Sequence, residues 1–388
     1  MVSSLDEPLL VRVSQDNIDG IPVRNLWLLM LYASKLFRHL DSSKVDAEEN
    51  PEDIPDLVAE FLSNVVERRL KRNLSFGYQT QIAELNRVRG RIDFLRTERK
   101  QLLSRGQIAC QYEDLTVNTA RNRFVRAALG SIAGIVNRRE LAHRCLALSE
   151  SLRRIGVIGE RPSRSEVSTE RFGRHDAIDQ RMVALAHLAF DLKLPTEFCG
   201  KRNLSVPDRE NHWVRKLFEK AVAGFYDVNL SRKGWHIHAG KWIKWPIEKR
   251  TAGIDAILPS MQTDIVLDHR TSGQRIVIDT KFNSIVKKGQ YREKTLSSGY
   301  MYQLYAYLRS QEDGGDPLAA RASGLLLHPA VDEIIDETAV IQGHSMRFAT
   351  VNLGATANEI RAQLLQMVKF PLSSDVDAAQ PTVAAEEN

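Results

Sequence analysis

The chain has 388 residues, 43% of them apolar, and a formal net charge of +5; that length favours two domains and that apolar content sustains an ordinary core. Its three cysteines, Cys110, Cys145 and Cys199, are far apart in sequence, which excludes a disulfide framework, a four-cysteine iron–sulfur cluster and paired zinc ligands, and points to reduced thiols in a cytoplasmic protein. The charge is unevenly spread: Val66–Arg174 holds 23 Lys/Arg against 11 Asp/Glu and residues 175–311 hold 22 against 14, whereas the first 65 residues hold 5 against 12 and the residues from Glu312 onward 4 against 12.

In chain order, residues 1–20 are polar and predict a disordered N-terminus. Ile21-Pro22-Val23-Arg24-Asn25 leads into an apolar helix, with Asn25 placed to cap it. Its run Leu26–Leu31 is too short to span a bilayer, and no signal peptide is visible, so no membrane association is expected. Residues 41–53 are acidic and read as a loop. Leu57, Val58, Phe61, Leu62, Val65 and Val66 recur at helical spacing within Ile54–Leu70. Tyr78–Val88 reads as a strand, and Gly90–Phe94 as a turn into another. Helices follow over Asn118–Val136, 140–155 and Ala177–Leu192, with a Pro162-containing loop between the last two. Pro195–Pro207 is rich in helix breakers and marks the domain boundary.

The second half opens with a helix over His212–Tyr226. Trp235–Trp245 reads as a strand pair. Gln262–Leu267 and Arg275–Lys281 are short β-branched runs joined by Arg270-Thr271-Ser272-Gly273, the pattern of a hairpin. A helix over Tyr300–Arg309, strands at Ser323–Leu327 and Met346–Val351, and a helix over Asn358–Val368 complete the fold. The tail, 371–388, is expected to be disordered. The resulting domain organisation is 21–195 and 196–370, with a mixed α/β fold class. The basic middle suits a phosphate backbone; solvated Arg-rich helix faces account for the same charge.

The stretch Thr263–Lys281 carries the chemistry. Asp279 and Lys281, two apart on a strand, share one face. Asp264 sits near the start of the preceding strand, where the sheet can bring it beside them. Two carboxylates, Asp264 and Asp279, with the Thr280 backbone carbonyl form a hard-oxygen set suited to Mg²⁺. Lys281 can orient a water or neutralise charge developing on a phosphate. The competing reading is a strand-end salt bridge between Asp279 and Lys281. Glu219, on the helix before the sheet, is either a further metal ligand or a surface residue beside Lys220. Gln303 is placed to hydrogen-bond a DNA phosphate or Lys281. Tyr300, Tyr302, Tyr305 and Tyr307 read as core or rim. No P-loop, zinc-binding histidine pair or Gly-x-Ser-x-Gly elbow is present.

Taken together, Ile21–Asn25 with its following helix, Gly90–Phe94, Asn118–Arg123, Pro259–Asp264, Ile278–Phe282, Tyr302–Leu304 and Thr350–Gly354 resemble the McrC family, over about Ile21–Phe370. That resemblance implies a partner-docking N-terminal domain and a C-terminal nuclease domain of the PD-(D/E)xK type, a central mixed sheet flanked by helices. It implies a Mg²⁺-dependent DNA endonuclease with Asp264, Asp279 and Lys281 as its catalytic set. The implied partners are an McrB-like AAA+ GTPase, which the chain would stimulate, and double-stranded DNA containing methylcytosine. No nucleotide would bind this chain. Pro259 stands five residues before Asp264, with Thr263 at the neighbouring position. The alternatives are a standalone repair or recombination nuclease and a non-enzymatic adaptor of an AAA+ ring.

Overall fold

The computed structural model describes residues 17–18, 21–34, 36, 50–173, 176–200, 207–287, 294–312, 315–330 and 333–370. Most of the N-terminus predicted to be disordered, the tail, and most of the acidic loop lie outside these; Asn17–Ile18, read as part of that disordered segment, instead pairs antiparallel with Ile21–Pro22. The chain divides into two compact units: Glu52–Leu194, and a second that joins the residues up to Pro51 with those from Pro195 onward.

The first helix, α1 (Val23–Ala33), belongs to the second unit, whereas the sequence reading groups it with the N-terminal domain. The reason is burial. Leu26, Leu28, Leu29, Met30 and Leu31 are all covered, so the helix needs apolar neighbours on nearly every side. Asn25 is not its cap: Pro22 holds that position, and the Asn25 side-chain amide donates to the carbonyls of Leu353 (2.7 Å) and Ala355 (2.9 Å). A buried amide therefore ties the start of the chain to its last strand–helix connection.

In the unit Glu52–Leu194, α2 (Ile54–Leu70) buries Val58, Leu62, Val65 and Val66 against α3 (Ala120–Ile132) and α4 (Arg139–Arg154). An antiparallel sheet has the order β1 (Gly77–Leu85), β3 (Ile108–Thr116), β2 (Arg91–Ile92). The sequence reading has no counterpart for β3, nor for the six-residue helix Phe94–Arg99 capped by Asp93. The Arg-rich helix start is partly committed internally. Arg121 pairs with Glu170 and stands 3.7 Å from Asp179, which Arg69 also meets at 2.8 Å. The helix α5 (Ala177–Gly200) provides that buried Asp179.

The second unit is built on a six-stranded sheet. After α6 (Pro207–Leu230) come β4 (His236–Ala239), β5 (Ile265–His269), β6 (Gln274–Thr280), α7 (Ser298–Arg309), β7 (Ser323–Pro329), β8 (Asp336–Ile341), β9 (His344–Val351) and α8 (Ala357–Met367). Spatial order is β8-β9-β7-β6-β5-β4; β6–β7 and β7–β9 are parallel and the other pairs antiparallel. This is the mixed sheet flanked by helices that the sequence predicts. The central strands are continuous apolar runs because both faces are covered. Val277 and Leu326 pack with Leu304, Tyr307 and Leu308 of α7. The β5–β6 hairpin turns at Gly273, whose φ of +67° suits glycine. Strand β8 carries Asp336, Glu337 and Thr338 on an exposed edge, without the alternation that would have revealed it. Among the described residues no helix is long and apolar enough to cross a membrane.

Candidate active site

The predicted residues converge at one end of the central strands. Ile265 of β5 pairs with Ile278 of β6, so Asp264, one residue before β5, stands across from Asp279. The Thr280 backbone N–H (2.7 Å) and hydroxyl (2.8 Å) both donate to Asp264 Oδ2. Lys281, one residue beyond β6, keeps the register through its N–H to the Leu327 carbonyl, 3.0 Å. Its ammonium lies 2.8 Å from Asp279 Oδ2, so the ion pair anticipated as a competing reading is present within the cluster.

Asp279 is fully buried, and neither carboxylate oxygen has a well-directed hydrogen bond. The contact to Lys281 is one of charge more than of hydrogen-bond geometry. Burial pushes the Asp279 carboxyl up to about 6; Lys281 opposes this, while Asp264 and Glu219 add to it. For Lys281, burial disfavours the ammonium, but the Asp279 carboxylate outweighs it and raises the lysine. The cluster thus holds several carboxylates against one cation, an imbalance that a divalent cation would relieve.

Glu219 projects from α6 into this field. Its carboxyl is raised first by burial and next by the Asp264 carboxylate, with Lys220, Lys216 and Lys281 opposing. It is half-buried and in electrostatic reach of the cluster, not simply a solvated neighbour of Lys220. Among the described residues Gln303 makes no hydrogen bond to Lys281. Its amide donates to the Tyr307 hydroxyl (2.7 Å), which in turn donates to the Gln262 carbonyl (2.8 Å), two residues before Asp264.

Three residues around the site carried no functional signal in the sequence. Lys281 Nζ stands over the Tyr300 ring, 5.3 Å from its centroid, and the Tyr300 hydroxyl accepts from Asn283 (2.7 Å). His328 on β7 is buried beside them. Its Nδ1 is 2.9 Å from the Asn283 carbonyl, and burial pushes its imidazole down to about 4. The parallel β6–β7 register places His328 next to Lys281, which only the topology reveals.

The donor chemistry fits Mg²⁺: a buried carboxylate whose one close polar partner is the Lys281 ammonium, a second carboxylate anchored by one oxygen, and a third within electrostatic reach. Among the described residues no three His, Cys, Asp or Glu side chains are arranged to hold a metal ion by themselves. Mg²⁺ does not require that, because it retains waters and takes one or two carboxylates.

The sequence matches the family described as McrBC 5-methylcytosine restriction system component over residues 9–318. The chain belongs to that family. The matched span of this McrBC-family protein includes Glu219, Asp264, Asp279, Lys281 and Gln303. It is 22% identical over 350 residues to the type IV methyl-directed restriction enzyme EcoKMcrBC of Escherichia coli (strain K12), covering 89% of this chain and 97% of that protein. Among solved structures it is similar to a chain of a half-complex from a tetradecameric assembly of Thermococcus gammatolerans McrB AAA+ hexamers with bound McrC. There the identity is 16%, the coverage 81% of this chain and 68% of that chain, and the TM-score 0.38.

Proposed function

We propose that this chain is the DNA-cleaving subunit of a McrBC-type restriction complex, hydrolysing phosphodiester bonds with Mg²⁺. The observation that carries the reading is the buried, poorly partnered Asp279 carboxylate, flanked by Lys281 and facing Asp264 at the end of β6. Burying a carboxylate with so little hydrogen bonding is costly unless the site serves something other than the fold. The same convergence speaks against a purely adaptor role.

Asp279 and Asp264 would hold the cation, with the Thr280 carbonyl and Glu219 as further candidates. Bound there, Mg²⁺ would supply Lewis-acid charge against the scissile phosphate. Thr280 fixes the direction of Asp264 through two hydrogen bonds. Lys281, held between Asp279 and the Tyr300 ring, is positioned to donate to the attacking water or to a phosphoryl oxygen as negative charge builds on it. In hydrolysis the water oxygen bonds to phosphorus as it gives up a proton to solvent, the bond from phosphorus to the leaving sugar oxygen breaks, and that oxygen takes up a proton from solvent to leave as a hydroxyl.

We propose further that the chain works with an McrB-like AAA+ GTPase on double-stranded DNA containing methylcytosine, and that it stimulates that GTPase. Family membership supports this, as does the lack of a P-loop in a sequence assigned to such a system. The test is cleavage of methylated DNA by the purified chain with its partner. Asp279→Ala and Lys281→Ala are expected to abolish cutting while retaining the fold and partner binding. An Asp279→Ala protein that cuts at the wild-type rate removes the site assignment.

A further inference from the structure

Next to the catalytic cluster the chain makes an excursion, residues 240–263, that neither the sheet nor the candidate mechanism requires. It leaves and returns as a ladder: the Gly240 N–H bonds to the Asp264 carbonyl (2.8 Å), the Thr263 N–H to the Lys241 carbonyl (2.9 Å), and Trp242 and Ile243 pair with Gln262 and Met261. Further out, the Trp245 indole N–H donates to the Pro259 carbonyl, 2.6 Å, which fixes the ring across the excursion. Beyond that clamp lies an open cavity of about 600 Å³, lined by Trp245, Ile247, Lys249, Arg250 and, from the end of α7, Arg309.

Two features of this excursion make no contribution to the packing of the isolated fold. Trp242 is 64% exposed, an unusual place for the largest side chain. Lys244 and Lys249 are exposed and have no ion pair among the described residues, and only Glu248 opposes them within Lys241–Arg250. Exposed indole surface interleaved with free cations is the chemistry by which proteins grip a nucleic-acid strand: the cations meet phosphates and the ring meets a sugar or base. The ladder fixes the spacing. At the rise of a β-strand, the groove begins roughly 15–17 Å from Asp264, a distance a DNA strand covers within a few nucleotides.

We infer that this excursion is a DNA-strand grip, in which Lys244 and Lys249 contact the sugar–phosphate backbone and Trp242 packs against the strand that leads into the Asp264–Asp279 site. The inference rests on the nuclease reading above, and it names the surface that holds the substrate on one side of the cut. The strand can belong to a duplex or be unpaired; the shared chemistry is a phosphate backbone with an accessible sugar or base edge.

The test measures binding of the full-length chain to short fluorescent duplex and single-stranded DNA as salt is varied. Lys244→Glu/Lys249→Glu is expected to weaken binding by about tenfold or more and to lower the salt slope by about two. Trp242→Ala is expected to weaken binding by about tenfold with the slope unchanged. The control, Arg232→Glu/Lys233→Glu, makes the same charge change on an exposed turn of the same unit and should stay within about twofold of wild type. A larger effect of Trp242→Ala on single strands identifies an unpaired strand as the occupant; an equal effect identifies the duplex. Groove variants that bind like wild type, a control weakened as much as the groove, or no binding by the wild-type chain overturns the grip. Cleavage by the chain with its partner separates the two readings. If wild type cuts and the groove variants keep its KM, the grip fails alone. If wild type never cuts but the binding pattern holds, the nuclease reading fails and the grip stands as a nucleic-acid surface.

Discussion

Thr280 holds Asp264 by two hydrogen bonds to a single carboxylate oxygen, one from its backbone N–H and one from its hydroxyl. The two residues lie on neighbouring strands, so the bond from the backbone is dictated by register and only the bond from the hydroxyl depends on the side chain.

Thr280→Val keeps the β-branched shape and removes the hydroxyl donor. DNA cleavage is expected to fall by about three- to thirtyfold in kcat with KM little changed, because Asp264 loses orientation and not substrate contact. Thr280→Ser should stay within about threefold of wild type. A valine variant with full activity would mean that the backbone bond alone anchors Asp264.

The raised Asp279 carboxyl makes a prediction about stability. Its value is about 6 in the folded chain against an ordinary 3.8, so the folded state binds the extra proton between those limits. Stability from this group is fully present below about pH 3.8 and is lost as pH rises through about 6. At neutral pH the penalty is on the order of 2–3 kcal/mol. Asp279→Asn should remove that dependence. Urea denaturation of the metal-free proteins should show wild type losing stability relative to the variant across this window; a difference that is flat with pH contradicts the burial argument. Adding Mg²⁺ at neutral pH should raise the Tm of wild type and leave that of Asp279→Asn unchanged.

Much of this arrangement was legible in the sequence because it is local. Asp279 and Lys281 lie on one apolar strand, and the hairpin at Arg270–Gly273 made Asp264 their neighbour. The four central strands, β5, β6, β7 and β9, followed from apolar runs that are covered on both faces. What escaped detection depends on contacts distant in sequence. Asn25 looked like a cap because its partners, Leu353 and Ala355, are more than 300 residues away. His328 gained a position beside Lys281 only through the parallel β6–β7 pairing. Edge strand β8 lacked a pattern because nothing covers it. Gln303 hydrogen-bonds Tyr307, one helical turn along α7, a contact the sequence reading did not include.

The grouping of α1 with the second unit can be tested at one glycine. A Cβ on Gly224 of α6 would stand 2.1 Å from the Tyr32 carbonyl oxygen and 2.8 Å from its carbon. Both atoms are backbone, so neither can turn aside, and the helices would have to separate. Gly224→Ala is expected to cost about 3 kcal/mol or more. Gly299→Ala is the control: it meets nothing within 4 Å in the first turn of α7, and should be neutral or stabilising by up to about 1 kcal/mol. Equal thermal stability of the two variants would show that α1 and α6 do not approach this closely.

Glu219 remains the carboxylate whose role is decided by experiment. Its carboxyl is raised by burial and by the negative charge of Asp264, so it sits where a cation would be welcome and where an unneutralised charge is not. Glu219→Gln preserves shape and removes only the charge. If the side chain helps to hold Mg²⁺, a neutral amide oxygen will hold the hard dication less well, and the Mg²⁺ midpoint for DNA cleavage should rise by about tenfold. The metal-free variant should also be no less stable than wild type at neutral pH, because a disfavoured charge has been removed. Gln303→Ala should be milder than Asp279→Ala, since the Gln303 amide supports the Tyr307 hydroxyl and not the cation. An unchanged midpoint and maximal rate for Glu219→Gln would take Glu219 out of the site and leave Asp264, Asp279 and Lys281 as its working residues.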